Sequence, residues 1–372
     1  MKQNDSRQVV GSIFLPVFCG ICAILATSSA MARTAEIAGG VTAVYQNADD
    51  DRVDSELIGS LDLVATLEAG YGLWTLRIEG NTTPSGGHVA ALFGEANGDA
   101  GSALDRNGKG RLQVSELLYS QPTEHGEFAV GLLDMTGFLD ASIVANDETA
   151  QFLAAGFVNN PTIEFPDYTL GAVFNRTPEQ PGFGYIAALG SSNGLGDNPK
   201  ASYSELVDVY DKGKGVFAAL ELIWNRETMV YRLGAWINSA DHAELAGAST
   251  DENNAGLYLS ADWLNGPLTA NMRLGIADKT VSEAAEFVAI AGAYQVDKIT
   301  YGLGFALTGA SGDLSGDVDD TRQVEMYVRF DVCENVRITP SVQWLENSGF
   351  DASNADFDDS VLVTGVRLSA TF

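Results

Sequence analysis

The chain has 372 residues, 45% of them hydrophobic and only 19% charged, and the charge is lopsided: 50 Asp and Glu against 21 Lys and Arg, a formal net charge of -29. Binding phosphates needs a basic footprint, so this balance excludes a nucleic-acid binder as the default. Apolar residues run through the whole length, which excludes a disordered chain, and 40 Gly against 10 Pro suits a sheet protein with many tight turns.

The first 32 residues read as a secretory signal. Lys2 and Arg7 form a basic start, an apolar stretch runs from Val9 to Leu25, and Ala30-Met31-Ala32 offers small residues at the positions a signal peptidase requires. Cleavage after Ala32 removes Cys19 and Cys22 and leaves Cys333 as a single thiol. An exported chain with one thiol makes no internal disulfide, so other forces must hold its fold.

From there to the C-terminus the dominant signal is alternation with a period of two, which places successive side chains on opposite faces of a strand. Strands are predicted at 36–46, 56–68, 73–81, 111–121, 127–134, 167–176, 182–190 and 215–225, then at 229–238, 255–264, 267–277, 285–296, 298–309, 322–333, 335–346 and 359–372. The fourth, the fifth and the one around Phe287 alternate poorly. In the last strand Leu362, Val366, Leu368 and Phe372 fall on one face, and Gly365, Arg367 and Ser369 on the other.

Alternation of this kind fits a soluble sandwich or a transmembrane barrel. The second face decides. It is rich in Gly, Ala, Ser, Thr and Asn with scattered charges, which suits a crowded aqueous lumen better than a solvated outer surface. Tyr45, Trp263, Trp344 and Phe372 sit near the ends of the apolar rows, where an interfacial girdle would place them. The fold class is therefore an all-β transmembrane antiparallel barrel of about sixteen strands spanning 33–372, with short turns at one end and long connections near 82–110, 135–166, 191–214, 239–254, 310–321 and 347–358 at the other.

The inward face carries candidate channel-lining residues: Arg77, Arg232, Trp236, Asp262, Arg273, Glu325, Arg329, Arg337 and Arg367. Further acids on it are Glu36, Asp62, Glu68, Glu79, Glu221 and Asp331. The aromatics Phe217, Trp236, Tyr258 and Tyr327 could stack on sugar rings or simply fill the wall. The segment 135–166 is too long for a turn. Its apolar set, Phe138, Phe152, Leu153, Phe157 and Val158, would pack on the wall if the segment folded inward. Asn146, Asp147, Glu148, Gln151, Asn159 and Asn160 would then line a constriction.

Residues 105–116 place an acid, Asn107, a Gly and Glu116 at calcium-loop spacing, but Lys109 occupies a ligand position and no helix pattern flanks the segment. The three histidines, His88, His125 and His242, fall in predicted loops and turns, and no nucleophile or metal-ligand motif accompanies them. No enzyme, metal or cofactor is expected.

The segment Ala145-Asn146-Asp147-Glu148-Thr149-Ala150-Gln151-Phe152-Leu153, followed by Phe157-Val158-Asn159-Asn160-Pro161 and by Tyr168 and Gly171, resembles the carbohydrate-selective porin family (OprB-like). The sharp match covers about forty residues, and Gly131-Leu132-Leu133-Asp134 fits the preceding family element only loosely. The resemblance implies a sixteen-stranded channel in the outer membrane of a Gram-negative bacterium, passing small hydrophilic solutes, above all sugars, by diffusion. It admits a homo-trimer. The acidity departs from a sugar channel and fits a general, cation-favouring porin as well; a secreted acidic β protein or adhesin is the remaining alternative.

Overall fold

The computed structural model describes residues 34–176, 181–210, 213–247, 252–315, 318–349 and 360–372. The expected signal segment lies outside them. Residues 35–372 form one compact unit.

Sixteen strands follow one another: β1 Ala35–Ala48, β2 Glu56–Ala69, β3 Gly72–Asn81, β4 Leu112–Thr123, β5 Gly126–Leu133, β6 Thr169–Arg176, β7 Gly182–Ser191, β8 Val216–Asn225, β9 Met229–His242, β10 Glu252–Asn265, β11 Leu268–Ala277, β12 Ala284–Val296, β13 Ile299–Ala310, β14 Thr321–Cys333, β15 Val336–Glu346 and β16 Ser360–Thr371. Each pairs antiparallel with its sequence neighbours, and β1 pairs with β16, Gly40 opposite Thr371, to close the barrel. Closure satisfies every edge, so the sheet needs no covalent staple.

The alternation resolves as expected. On β16, Leu362, Val366 and Leu368 face outward and Val363, Arg367 and Ser369 inward. The exposed outer face is dominated by Leu, Ile, Val and aromatic side chains, as a lipid-facing band requires. Outward aromatics gather at the short-turn end: Trp74 stacks near Tyr119, Phe174 near Tyr185 and Phe183 near Trp224, and Tyr294, Tyr301 and Phe330 lie close to their own turns.

The poorly alternating strands have local causes. In β4 the register with β3 shifts where Arg77 and Ile78 face Glu116 and Val114, so Ser115 is an extra residue and the inward set changes parity. In β12 a second shift lies between Ala284 and Glu286. Phe287, Ala289 and Ala291 there are apolar yet inward, because something apolar covers them.

Candidate functional site

What covers them is the connection between β5 and β6, residues 134–168. It folds into the barrel instead of over it. Phe152 and Phe157 pack on each other and on Tyr327, Phe287, Ala289, Ala291 and Ala306 of the wall. Met135, Leu139 and Ile163 pack on Val173, Ile186, Phe217 and Trp236. The wall leaves room for this: a side chain at Gly304 would approach Phe157 to 2.6 Å, and one at Gly275 would meet Asn160 and Thr162.

Much of the connection's shape is set by its own polar residues. Gln151 Oε1 accepts from the backbone N–H of Asn146 (2.9 Å) and Asp147 (3.2 Å), while its Nε2 donates to Ile143 O at 2.8 Å. Asp147 Oδ1 accepts from the N–H groups of Thr149 and Ala150, closing a turn. Asn160 Oδ1 accepts from Thr162 N–H and Oγ1, and its Nδ2 donates to Leu274 O. Asn146, Asp147, Gln151 and Asn160 thus do structural work that their side-chain chemistry predicts for turns.

The wall grips the connection with buried charge. Arg273 donates to the carbonyls of Phe157, Val158 and Asp140 and to Asn146 Oδ1, and its Nε lies 3.3 Å from Asp140 Oδ2. Arg367 donates to Glu148 O and Gln151 O, and Arg329 to Ala150 O. Glu325 accepts from the N–H groups of Leu153 and Ala154. Asp262 accepts from Ser142 Oγ, Ile143 N–H and Arg232 Nη1, and Glu221 from Asp140 N–H and Tyr258 Oη. A guanidinium bonded to several carbonyls is the charge-assisted form of these contacts.

The opposite wall stays uncovered. Between β1–β4 and the inner face of the connection lies a cavity of about 990 Å³. Asp62, Glu79 and Glu116 border it from the wall; Asp134, Asp147, Glu148, Glu164 and Asp167 border it from the connection. Arg77 is the guanidinium among its described lining residues. It pairs with Glu116 at 2.7 Å and stands 3.8 Å from Asp62. Thr42, Thr136, Asn146, Thr149, Asn159 and Tyr168 complete the polar lining.

Burial and mutual repulsion hold several of these acids above the usual carboxylate range. Burial pushes Glu148 up to about 8, with Asp99, Asp147 and Asp62 adding to it; its own backbone hydrogen bond offsets part. Burial, then the nearby Asp197, pushes Asp167 up to about 8. Asp134 is raised by burial despite two hydrogen bonds from Thr136. Beneath the connection, burial raises Asp140 to about 6, and Arg273 and Arg232 keep it from rising further.

No family model matches the sequence. An uncharacterized protein of Aquifex aeolicus (strain VF5) is 37% identical over 71 residues, 19% of this chain and 23% of that one, so the match spans under a quarter of the relative's length. Among solved structures, the high-pH structure of Pseudomonas putida OprB aligns with a TM-score of 0.67 at 14% identity, over 91% of this chain and 94% of that chain. In-vitro folded OmpT, an outer membrane protein of Vibrio cholerae, aligns at 0.58 and 13% identity over 92% and 99%. A multiply substituted Rh. blastica porin aligns at 0.51 and 13% identity over 91% and 100%. The fold is porin-like.

Within that porin-like barrel the nine candidate lining residues separate. Arg77 borders the cavity. Arg232, Trp236, Asp262, Arg273, Glu325 and Arg367 face inward as their parity predicts but are buried beneath the connection. Arg329 and Arg337 are partly exposed beside Asp331, toward the short-turn end. Of the six candidate constriction residues, Asn146, Asp147, Glu148, Asn159 and Asn160 border the cavity, Asn160 with its side chain almost fully buried. Gln151 is turned into the connection. Phe217, Tyr258 and Tyr327 are buried with Trp236 and offer no open face for a ring to stack on. The calcium-like spacing at 105–116 does not close: Asp105 caps its own turn through Asn107 and Lys109, while Glu116 points inward to Arg77.

Sequence reasoning missed Glu116, Asp134, Glu164 and Asp167 as lining residues and His242 as a partner of Glu164. The parity change at Ser115 hid the first. The others lie in or near the inserted connection, where no period applies.

Proposed function

We propose that the chain is an outer-membrane porin, a passive channel for small hydrophilic solutes that favours cations over anions. The observation that carries this is the asymmetry of the lumen. Eight carboxylates border the open cavity with Arg77, while Arg232, Arg273 and Arg367 are spent holding the inserted connection. A water-filled cleft lined by one sign of charge concentrates counter-ions and repels co-ions. Raised acids such as Glu148 and Asp167 weaken this field near neutrality without cancelling it. The role is diffusion, with no catalytic step. Export through the N-terminal signal and an outward apolar band with its aromatic rim support the location.

Neutral sugars are the second reading. The resemblance of 145–161 to carbohydrate-selective porins and the fold likeness to OprB favour it. Carboxylates, hydroxyls and amides on the cavity wall can pair with sugar hydroxyls. Burial of the inward aromatics counts against a stacking platform.

Planar-bilayer recording of the detergent-purified protein tests both. The expected result is stepwise conductance, with a reversal potential in a KCl gradient that marks K⁺ as the preferred ion. Saturable block by maltooligosaccharides would add a sugar site to the channel. Anion preference would overturn the cation reading, and absence of conductance would overturn the channel.

A further inference from the structure

His242 ends β9 at the long-loop side. The outward residues of β9 change there from Leu233 and Ile237 to Ser239 and Asp241, so the histidine stands beyond the apolar band. Both of its ring nitrogens face acceptors. Nδ1 lies 2.8 Å from Ala240 O and 3.2 Å from Glu252 O, and Nε2 lies 2.9 and 3.0 Å from the two carboxylate oxygens of Glu164. A neutral imidazole carries one N–H and one lone pair, so it would turn a lone pair toward a carbonyl or a carboxylate. Only the imidazolium donates at both nitrogens.

Glu164 is the matching half. Besides His242 it accepts from Asn238 Nδ2 and Asn254 Nδ2, each at 2.8 Å, and Ser282 Oγ holds Asn254 at 3.0 Å. These donors come from β9, β10 and the β11–β12 connection, whereas Glu164 belongs to the inserted connection and borders the cavity. The other charged groups around the pair are Asp197 on the β7–β8 connection, Asp241 beside the histidine and Glu252 opposite it. All are acids, and all favour a cationic ring.

We propose that His242 and Glu164 form a proton-operated latch that pins the exit end of the inserted connection to the barrel mouth. While the ring is charged the latch is closed. When the ring loses a proton, one nitrogen confronts an acceptor and the link to Glu164 loses its charge assistance, so the segment leading into β6 loosens beside the cavity. The bond to Glu164 is the main reason the ring keeps its proton to higher pH than free imidazole; partial burial opposes this but does not win. The latch therefore opens on the alkaline side.

Two measurements test it. In the full-length chain in nanodiscs, histidine-labelled NMR follows the ring carbons of His88, His125 and His242 from about pH 5 to about pH 9. His242 should titrate above the ordinary histidine value of roughly 6.5, and Glu164→Gln should lower its midpoint. A midpoint at or below that value, or one that Glu164→Gln leaves unmoved, would overturn the latch. In bilayers, open-channel current noise should rise with pH along the same curve. His242→Gln, which can keep an N–H toward Glu164 but cannot charge, should flatten the curve; a variant that still follows the wild-type pH dependence would overturn the latch as well. The NMR result stands apart from transport: a chain that conducts nothing but shows the raised, Glu164-dependent midpoint keeps the latch and loses only the channel reading.

Discussion

Two halves of the same wall put the same residue types to opposite use. On β8–β16 the inward Arg and acidic side chains are covered: the Arg273 side chain is 1% exposed and hydrogen-bonds the connection from four sides. On β1–β4 they are open: the Arg77 side chain is 37% exposed and faces the cavity with Asp62 and Glu116. Strand parity is identical in the two places. What differs is the inserted connection, which converts one half of a lumen into a packed interior and leaves the other half as the passage. A charged side chain on a barrel wall is thus an anchor or a lining residue according to what covers it.

The sharpest break of this contrast is Arg273→Ala. It leaves Asp140 buried without its guanidinium and frees four acceptors on the connection. Breaking a buried ion pair from one side costs about 3–5 kcal/mol. The expected result is a large drop in the thermal unfolding temperature, together with larger and noisier single-channel conductance as the connection leaves its bed. Arg77→Ala removes a half-exposed group and should leave the unfolding temperature nearly unchanged. Equal destabilisation by the two substitutions would show that the halves do not differ as described.

The same contrast marks what the sequence makes legible. Strand positions follow from alternation, because a two-sided wall must repeat every second residue, and all sixteen strands lie close to their expected bounds. Alternation names a face; it is silent on what lies against that face. Arg273 and Arg77 have the same parity, so both read as lining. A signal for the difference exists: inward positions on β11–β13 are Gly275, Ala289, Ala291, Gly304 and Ala306, while those on β2 and β3 are Asp62, Arg77 and Glu79. Small inward residues mark the bed of an inserted segment, because a larger side chain would strike Phe157. The turn chemistry of Gln151 and Asn160 was hidden for a related reason. An amide in a loop can line a channel or close a turn, and composition alone does not choose.

A smaller effect is expected in selectivity. One unit charge about 4 Å from a permeating ion in water is worth about 1 kcal/mol, or roughly a five-fold change in preference. Arg77→Ala should raise the K⁺/Cl⁻ permeability ratio by up to about that factor, and Asp147→Asn with Glu148→Gln should lower it. Arg367→Gln, in the covered half, should act on loop stability more than on the ratio, and a selectivity change as large as that of Arg77→Ala would place Arg367 in the passage.

The pH dependence of the ratio sharpens the open half further. Glu148 and Asp167 have values near 8. Below that pH they are mostly protonated and neutral, and above it anionic. Cation preference should therefore increase from about pH 6.5 to about pH 9, and Glu148→Gln should remove part of the rise. The measurement is the reversal potential, which the loop noise attributed to the His242 latch does not determine.

The smallest effect expected is the most direct check on the cover. Tyr327 lies beneath Phe152, edge to face at 5.0 Å between ring centroids, and is 2% exposed. Tyr327→Phe keeps the ring and that packing while removing the hydroxyl. If the connection seals this half, a permeating solute never meets the hydroxyl. Conductance, ion preference and any block by maltooligosaccharides should match the wild type. Altered sugar block with unaltered unfolding temperature would mean that sugars reach the β14 wall, that the connection opens during permeation, and that the aromatic row counted here as interior belongs to the passage.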